Sequence, residues 1–218
     1  MPLFVVNFKT YENGTGKKAL RLAKIIDKAA QNFRDTDIDI IVALQPADIR
    51  MIAGKVSIPV FGQHADPISF GPHTGGILLE SLKEAGARGV IINHSEKGLK
   101  LKQIEKIIKK AKKMDFPVLV CAPDLKTGEK IKKLQPDFIA IEPPELIGGK
   151  KSVSTTKPGL IKKSVSKLGK DLIVGAGISK FDDVKKAIDF GANGVLISNA
   201  VVNAKNPNNV LKDMLSAF

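Results

Sequence analysis

The chain has 218 residues, 43% of them apolar and 26% charged, with a formal net charge of +13. That length suits one α/β domain with a core that needs neither disulfide nor metal. The lone cysteine, Cys121, excludes an internal disulfide and fits a reducing, cytoplasmic setting. No run reaches the roughly 18 apolar residues of a membrane span, and the N-terminus reads as a strand rather than a signal peptide.

Short apolar runs read as strands near residues 3–7, 38–44, 58–62, 89–93, 117–121, 138–142, 171–175 and 194–198. They are continuous rather than alternating, as expected for parallel strands covered on both faces. Helical stripes lie between them. Leu22, Ile25, Ile26, Ala29, Ala30 and Phe33 form the first; Leu101, Ile104, Ile108 and Ala111 another; Phe181, Val184 and Ile188 a third. The helix near 46–53 is expected to be short and weak. Asn206-Pro207 reads as an N-cap followed by Pro at the first helical position. No linker or low-complexity segment divides the chain, so residues 1–218 are expected to form a single domain. Alternating strand and helix predicts a (β/α)8 barrel. An open doubly wound sheet would carry its glycine fingerprint after the first strand, whereas the glycine-rich turns here come late.

The positive charge is nearly all lysine, spread over many helices, with no Trp and one Tyr. Such a surface lacks the stacking platforms and arginine forks of nucleic-acid recognition. It reads as a solvated face that can also draw an anionic substrate toward the protein.

Barrel chemistry sits at the C-terminal ends of strands. The first ends Asn7-Phe8-Lys9-Thr10-Tyr11, offering an ammonium with an amide beside it. The fourth ends Asn93-His94-Ser95-Glu96-Lys97; a helical turn opening at Ser95 would keep the His94 imidazole neutral. The sixth ends in Glu142, followed by Pro143-Pro144 and a loop closing on Gly148-Gly149. A carboxylate behind an apolar strand is placed to act as a general base, its basicity raised by burial. The seventh ends Gly175-Ala176-Gly177-Ile178-Ser179 and the eighth Ser198-Asn199-Ala200, turns suited to gripping phosphate through backbone N–H groups. His64 and His73 have no cysteine or acidic cluster beside them, so no metal site is expected. A Schiff-base aldolase would need a strand-end lysine, usually on strand six, where Glu142 stands.

Taken together these strand ends resemble the triosephosphate isomerase family, most closely its short archaeal branch, over essentially the whole chain. Further matching segments are Gln63-His64-Ala65-Asp66-Pro67, His73-Thr74-Gly75, Val120-Cys121 and Glu142 through Gly148. The resemblance implies a TIM barrel that interconverts D-glyceraldehyde 3-phosphate and dihydroxyacetone phosphate without cofactor or metal, in glycolysis and gluconeogenesis. It implies Glu142 as the base, His94 as the proton shuttle and Lys9 as the electrostatic stabiliser. Asn7 would lie beside Lys9, with Ser95 and Glu96 supporting, and Ile147, Gly148, Gly177, Ser198 and Asn199 at the substrate. Residues 143–153 would form a lid. The loop from His64 to Gly75 would enter a neighbouring subunit, with Thr74 near that subunit's Asn7 and Glu96, in a homo-oligomer built as a dimer of dimers. The chain departs from the family in two places: Gly149-Lys150 follows Gly148 where Thr-Gly is usual, and Gly98 stands where Arg is frequent.

Overall fold

A computed structural model describes residues 1–33, 38–147, 149, 152–169 and 171–218. The strands are β1 (Leu3–Asn7), β2 (Asp39–Leu44), β3 (Val60–Gly62), β4 (Gly89–Ile92), β5 (Val118–Ala122), β6 (Phe138–Ile141), β7 (Leu172–Val174) and β8 (Gly194–Ile197). All neighbours pair in parallel, and β1 pairs with both β2 and β8. The sheet therefore closes into an eight-stranded barrel, and the open-sheet alternative falls away.

Helices cover the outside. They are α1 (Gly16–Gln31), α2 (Pro46–Ala53), α3 (Leu79–Glu84), α4 (Leu101–Lys113), α5 (Leu125–Lys132), α6 (Val153–Thr156), α7 (Pro158–Leu168), α8 (Phe181–Asp189), α9 (Asn199–Val202) and α10 (Pro207–Leu215). Several ends follow from sequence chemistry. Asn206 caps α10 by accepting from Asn209 N at 3.2 Å, with Pro207 at the first position. The α1 stripe runs past its helix: Asn32 is the C-cap, and Phe33 packs on the core from the turn beyond. On α4 the expected stripe needs correction. Leu101 is 43% exposed, and Ile107 takes its place among the buried residues. Leu101 opens the helix, where the chain has not yet turned its apolar face inward.

Two apolar shells follow from the period-2 geometry of strands. Side chains of one parity fill the barrel interior, among them Leu3, Val5, Ile41, Phe61, Ile91, Leu119, Ala140, Ile173 and Leu196. The other parity, including Phe4, Val6, Val42, Val60, Val90 and Ile92, packs against the helices. Each fully buried aliphatic side chain contributes on the order of 1.5–3 kcal/mol. Gly89 opens β4 because a Cβ there would strike the Phe61 ring that fills the interior.

Most strand boundaries are one or two residues shorter than the apolar runs. Asn93, Glu142, Gly175 and Ser198 lie just past the last paired residue. Glu142 N and Gly175 N still donate to Ala122 O and Ile141 O of the neighbouring strands, so the strand spacing carries on to the barrel mouth.

Candidate active site

Strand parity delivers most of the site. On β1 the inward series Leu3, Val5 continues to Asn7; on β6, Ala140 continues to Glu142; on β7, Ile173 continues to Gly175; on β8, Leu196 continues to Ser198. Asn7, Tyr11, Lys9, His94, Glu142, Ile147, Gly177, Ser198 and Asn199 line one pocket at the C-terminal mouth.

Lys9 sits in a left-handed turn, φ 48°. Its N–H donates to Asn7 Oδ1 at 3.0 Å, and its carbonyl accepts from Gln63 Nε2 at 3.0 Å. The same Gln63 amide donates to Ala43 O at 3.0 Å, so β2 also braces the turn. The Lys9 ammonium donates to Glu96 Oε1 at 2.6 Å, and the lysine side chain is only 11% exposed.

His94 is 5% exposed and caps the short 3-10 turn Ser95–Lys97. Its Nδ1 accepts from the backbone N–H of Glu96 at 3.2 Å. A nitrogen that accepts carries no proton, so the neutral ring bears its hydrogen on Nε2. The Glu96 carboxylate lies 3.5 Å from the same Nδ1 but is committed to Lys9. Asn93, at φ 56°, rotates the chain off strand parity so that His94 reaches the mouth. Its amide donates to Cys121 O at 2.8 Å and its oxygen accepts from Leu99 N at 2.8 Å, which pins that turn.

Glu142 is 6% exposed. Its Oε2 has no hydrogen-bond partner and lies 3.6 Å from His94 Nε2, beyond hydrogen-bond reach. Burial raises its carboxyl above the usual carboxylate range, while His94, the Cys121 thiol and Lys9 pull the other way. The result is a buried carboxylate in the pocket lining with one unpartnered oxygen, 3.6 Å from an imidazole nitrogen and near an ammonium.

The opposite end of the pocket is built from backbone. Ala176 and Gly177, at φ 73° and 72°, form two consecutive left-handed residues after β7. Ser198 caps α9, and its buried hydroxyl lacks a partner. Ser95 is exposed at the start of its turn. Thr74 lies on the exposed stretch 69–76, away from this pocket. Gly148 and Lys150 lie outside the described residues. Gly98 is exposed, with open space around it.

Three contributors stand in the sequence analysis without these roles. Cys121, the lone cysteine and part of a matching segment, lies one strand over from Glu142; its position at the end of β5 is the signal for that. Gln63 follows β3 and braces Lys9. Gly175 packs directly against Glu142: an added Cβ would lie 2.5 Å from Glu142 Cγ and Oε1.

The closed barrel and its mouth thus hold an acid–base site with a polar backbone cradle beside it. The architecture resembles a triosephosphate isomerase from Bartonella henselae, with a TM-score of 0.71 at 20% identity over 99% of this chain and 97% of that one. The family model described as triosephosphate isomerase matches residues 2–216. Triosephosphate isomerases from the archaea Methanothermus fervidus and Methanocaldococcus jannaschii are each 43% identical, covering 99% and 98% of this chain and 98% of each relative. That of Saccharolobus solfataricus is 38% identical over 99% of this chain and 96% of its own. The chain belongs to the triosephosphate isomerase family and is an enzyme of the aldose–ketose isomerase class. Among the described residues no helix is long and apolar enough to cross a membrane.

Proposed function

We propose that this protein interconverts D-glyceraldehyde 3-phosphate and dihydroxyacetone phosphate through an enediol(ate). Glu142 takes the carbon-bound proton and returns it to the neighbouring carbon. His94 donates its Nε2 proton to the carbonyl oxygen and recovers one from the adjacent hydroxyl. Lys9 offsets the negative charge on the oxygens. Glu96 and Asn7 hold Lys9, and Ser95 opens the turn that orients His94. Ile147, Gly177, Ser198, Asn199 and the undescribed Gly148 contribute to the substrate's phosphate end. The reaction is a proton transfer between adjacent carbons, so it draws on no external oxidant or reductant.

The observation that carries this reading is the pairing of two groups across one gap. Glu142 presents a buried carboxylate whose Oε2 has no partner and whose basicity burial raises, and His94, its Nδ1 engaged by Glu96 N, turns Nε2 toward it at 3.6 Å. General bases contribute about 10²–10⁴-fold. Glu142→Gln is therefore expected to lower kcat by at least that much while leaving inhibition by inorganic phosphate nearly unchanged. Near wild-type turnover in that variant would sink the assignment.

The same reading places the enzyme in glycolysis and gluconeogenesis, in the cytoplasm, as a single domain spanning 1–218 that acts without cofactor. It also makes the protein a homo-oligomer, a dimer of dimers. Support comes from the exposed stretch around Thr74, where Phe70 is 77% exposed, and from a groove beside Lys9, Gln63, His64 and Lys97 that could receive such a loop.

A further inference from the structure

One buried carboxylate outside the pocket has no role in the chemistry above. Asp183 lies in the first turn of α8 and is 3% exposed. Its Oδ2 accepts from Ser179 N at 3.0 Å and Ser179 Oγ at 3.1 Å. Its Oδ1 accepts from Ser152 Oγ at 2.5 Å and from Thr155 Oγ1 at 3.4 Å.

The first pair is what a helix N-terminus ordinarily asks of an acidic residue. The second pair is not, since Ser152 and Thr155 belong to a different segment. Ser152 is itself 3% exposed and caps α6, accepting from Thr155 N at 3.2 Å. Because its proton goes to Asp183, Ser154 must donate to it across their 3.1 Å contact. Beside this cluster Val153 N donates to Ala176 O at 3.1 Å. The segment Ser152–Thr156 is thus tied to the turn that carries Ala176 and Gly177. Both are tied through one carboxylate whose partners here are hydroxyls and an amide rather than a cation. Hydrogen bonds to an ionised acceptor are the strong ones, and a buried carboxylate that loses them is costly.

We propose that Asp183 is a positioning residue: it ties the Ser152–Thr156 segment to the Ala176–Ser179 turn, so that the turn at the phosphate end of the pocket is held in place. It acts through Ser152 and Ser179 and does not touch substrate. The proposal rests on the isomerase reading for its kinetic consequence, but not for its structural one.

The test uses Asp183→Asn and Ser152→Ala in the full chain, with Ile104→Val in the buried face of α4 as a control for general destabilisation. Asp183→Asn is expected to lower kcat/KM roughly tenfold, with KM raised and inhibition by inorganic phosphate weakened. Ser152→Ala should move the same constants in the same direction by less. Hydrogen exchange is expected to quicken together at the amides of 153–156 and 176–179. Ile104→Val should leave KM and both exchange segments unchanged. Wild-type KM and phosphate inhibition in both Asp183→Asn and Ser152→Ala would overturn the proposal. So would faster exchange confined to α8. If the unmodified protein does not isomerise triose phosphates, the isomerase reading fails, and the paired exchange still decides whether Asp183 couples the two segments. Should Asp183→Asn not fold, Ser152→Ala carries the same comparison.

Discussion

Replacing Gly175 by Ala isolates the placement of the Glu142 carboxylate from everything else in the site. Gly175 is not among the residues with positive φ, so alanine meets no backbone penalty there. Its only cost is the new methyl, which would lie 2.5 Å from Glu142 Cγ and Oε1 and 2.7 Å from Cδ. Comfortable carbon contacts lie near ~3.5–4.0 Å, so about 1 Å must be found. The strand cannot supply it freely, because Gly175 N donates to Ile141 O at 3.0 Å and Glu142 N to Ala122 O at 2.9 Å. The Glu142 side chain must therefore move. A displacement of about 1 Å at a reacting group costs on the order of 10²-fold, equivalent to ~2.7 kcal/mol in the barrier. Overpacking costs about 1–3 kcal/mol of stability, or very roughly 2–12 °C in Tm for a chain of this size. The assay is steady-state isomerisation by the purified variant beside its melting curve and its inhibition by inorganic phosphate. The expected result is a kcat/KM down about a hundredfold with phosphate inhibition nearly intact. A kcat/KM within threefold of wild type in a folded protein would refute the reasoning, because it would mean that the carboxylate's position is not what the methyl disturbs.

Three other outcomes are expected. Glu142 carries a raised folded-state pKa, owing first to burial. Such a group favours folding below its unfolded value, here 4.5, and that contribution is lost as pH rises through the raised folded value. Glu142→Gln should therefore melt higher than wild type at pH 8, by about 2–4 °C for each ~1 kcal/mol of relieved desolvation, and the gain should shrink on acidification; a pH-independent Tm difference would contradict this. Cys121 is fully enclosed, and burial followed by the Glu142 carboxylate lifts its thiol well above the ordinary range; iodoacetamide at pH 8 should label it only under denaturing conditions, as read by intact mass. Phe70→Asp with Thr74→Arg should reduce the sedimentation coefficient toward that of a monomer at micromolar concentration, while an unchanged coefficient would place subunit contacts elsewhere.

How much could be read from residues alone follows from what each element depends on. The barrel was legible because eight continuous apolar runs, separated by amphipathic stripes, leave few other ways to cover both faces of a parallel sheet. Lys9, His94 and Glu142 were legible because strand ends are where a barrel exposes polar side chains. The neighbours that tune them were not. Gln63 reaches Lys9 across 54 positions of sequence and Asp183 reaches Ser152 across 31, so neither contact has a local signature. Gly175 read as part of a phosphate-gripping turn, but its backbone is not left-handed. It is small because Glu142 fills the space a side chain would take. Leu101 misled in the opposite direction: it fits the helical period, yet it stands at the helix entrance before the face turns inward.

Several departures from ordinary folding rules gather at the barrel mouth. Among the described residues, five non-glycine positions have positive φ: Lys9, Asn93, Asp115, Gln135 and Ala176. Asp115 and Gln135 follow the ends of α4 and α5, where a left-handed residue is a common way to stop a helix. The other three have no helix to end. Each sits just after a strand, and each turns the chain at a point where a pocket residue begins: the Lys9 ammonium, His94 and Gly177. The buried polar atoms without a partner include Glu142 Oε2 and Ser198 Oγ at the same mouth. Backbone strain and an unbonded acceptor each cost on the order of 1–3 kcal/mol, and folding alone gives no reason to gather them at one end of the barrel. Their shared location is explained if the mouth is built to engage a ligand that supplies the missing hydrogen bonds. Substrate occupancy should then protect the turns at Lys9, Asn93 and Ala176 from hydrogen exchange more than it protects the helices behind them.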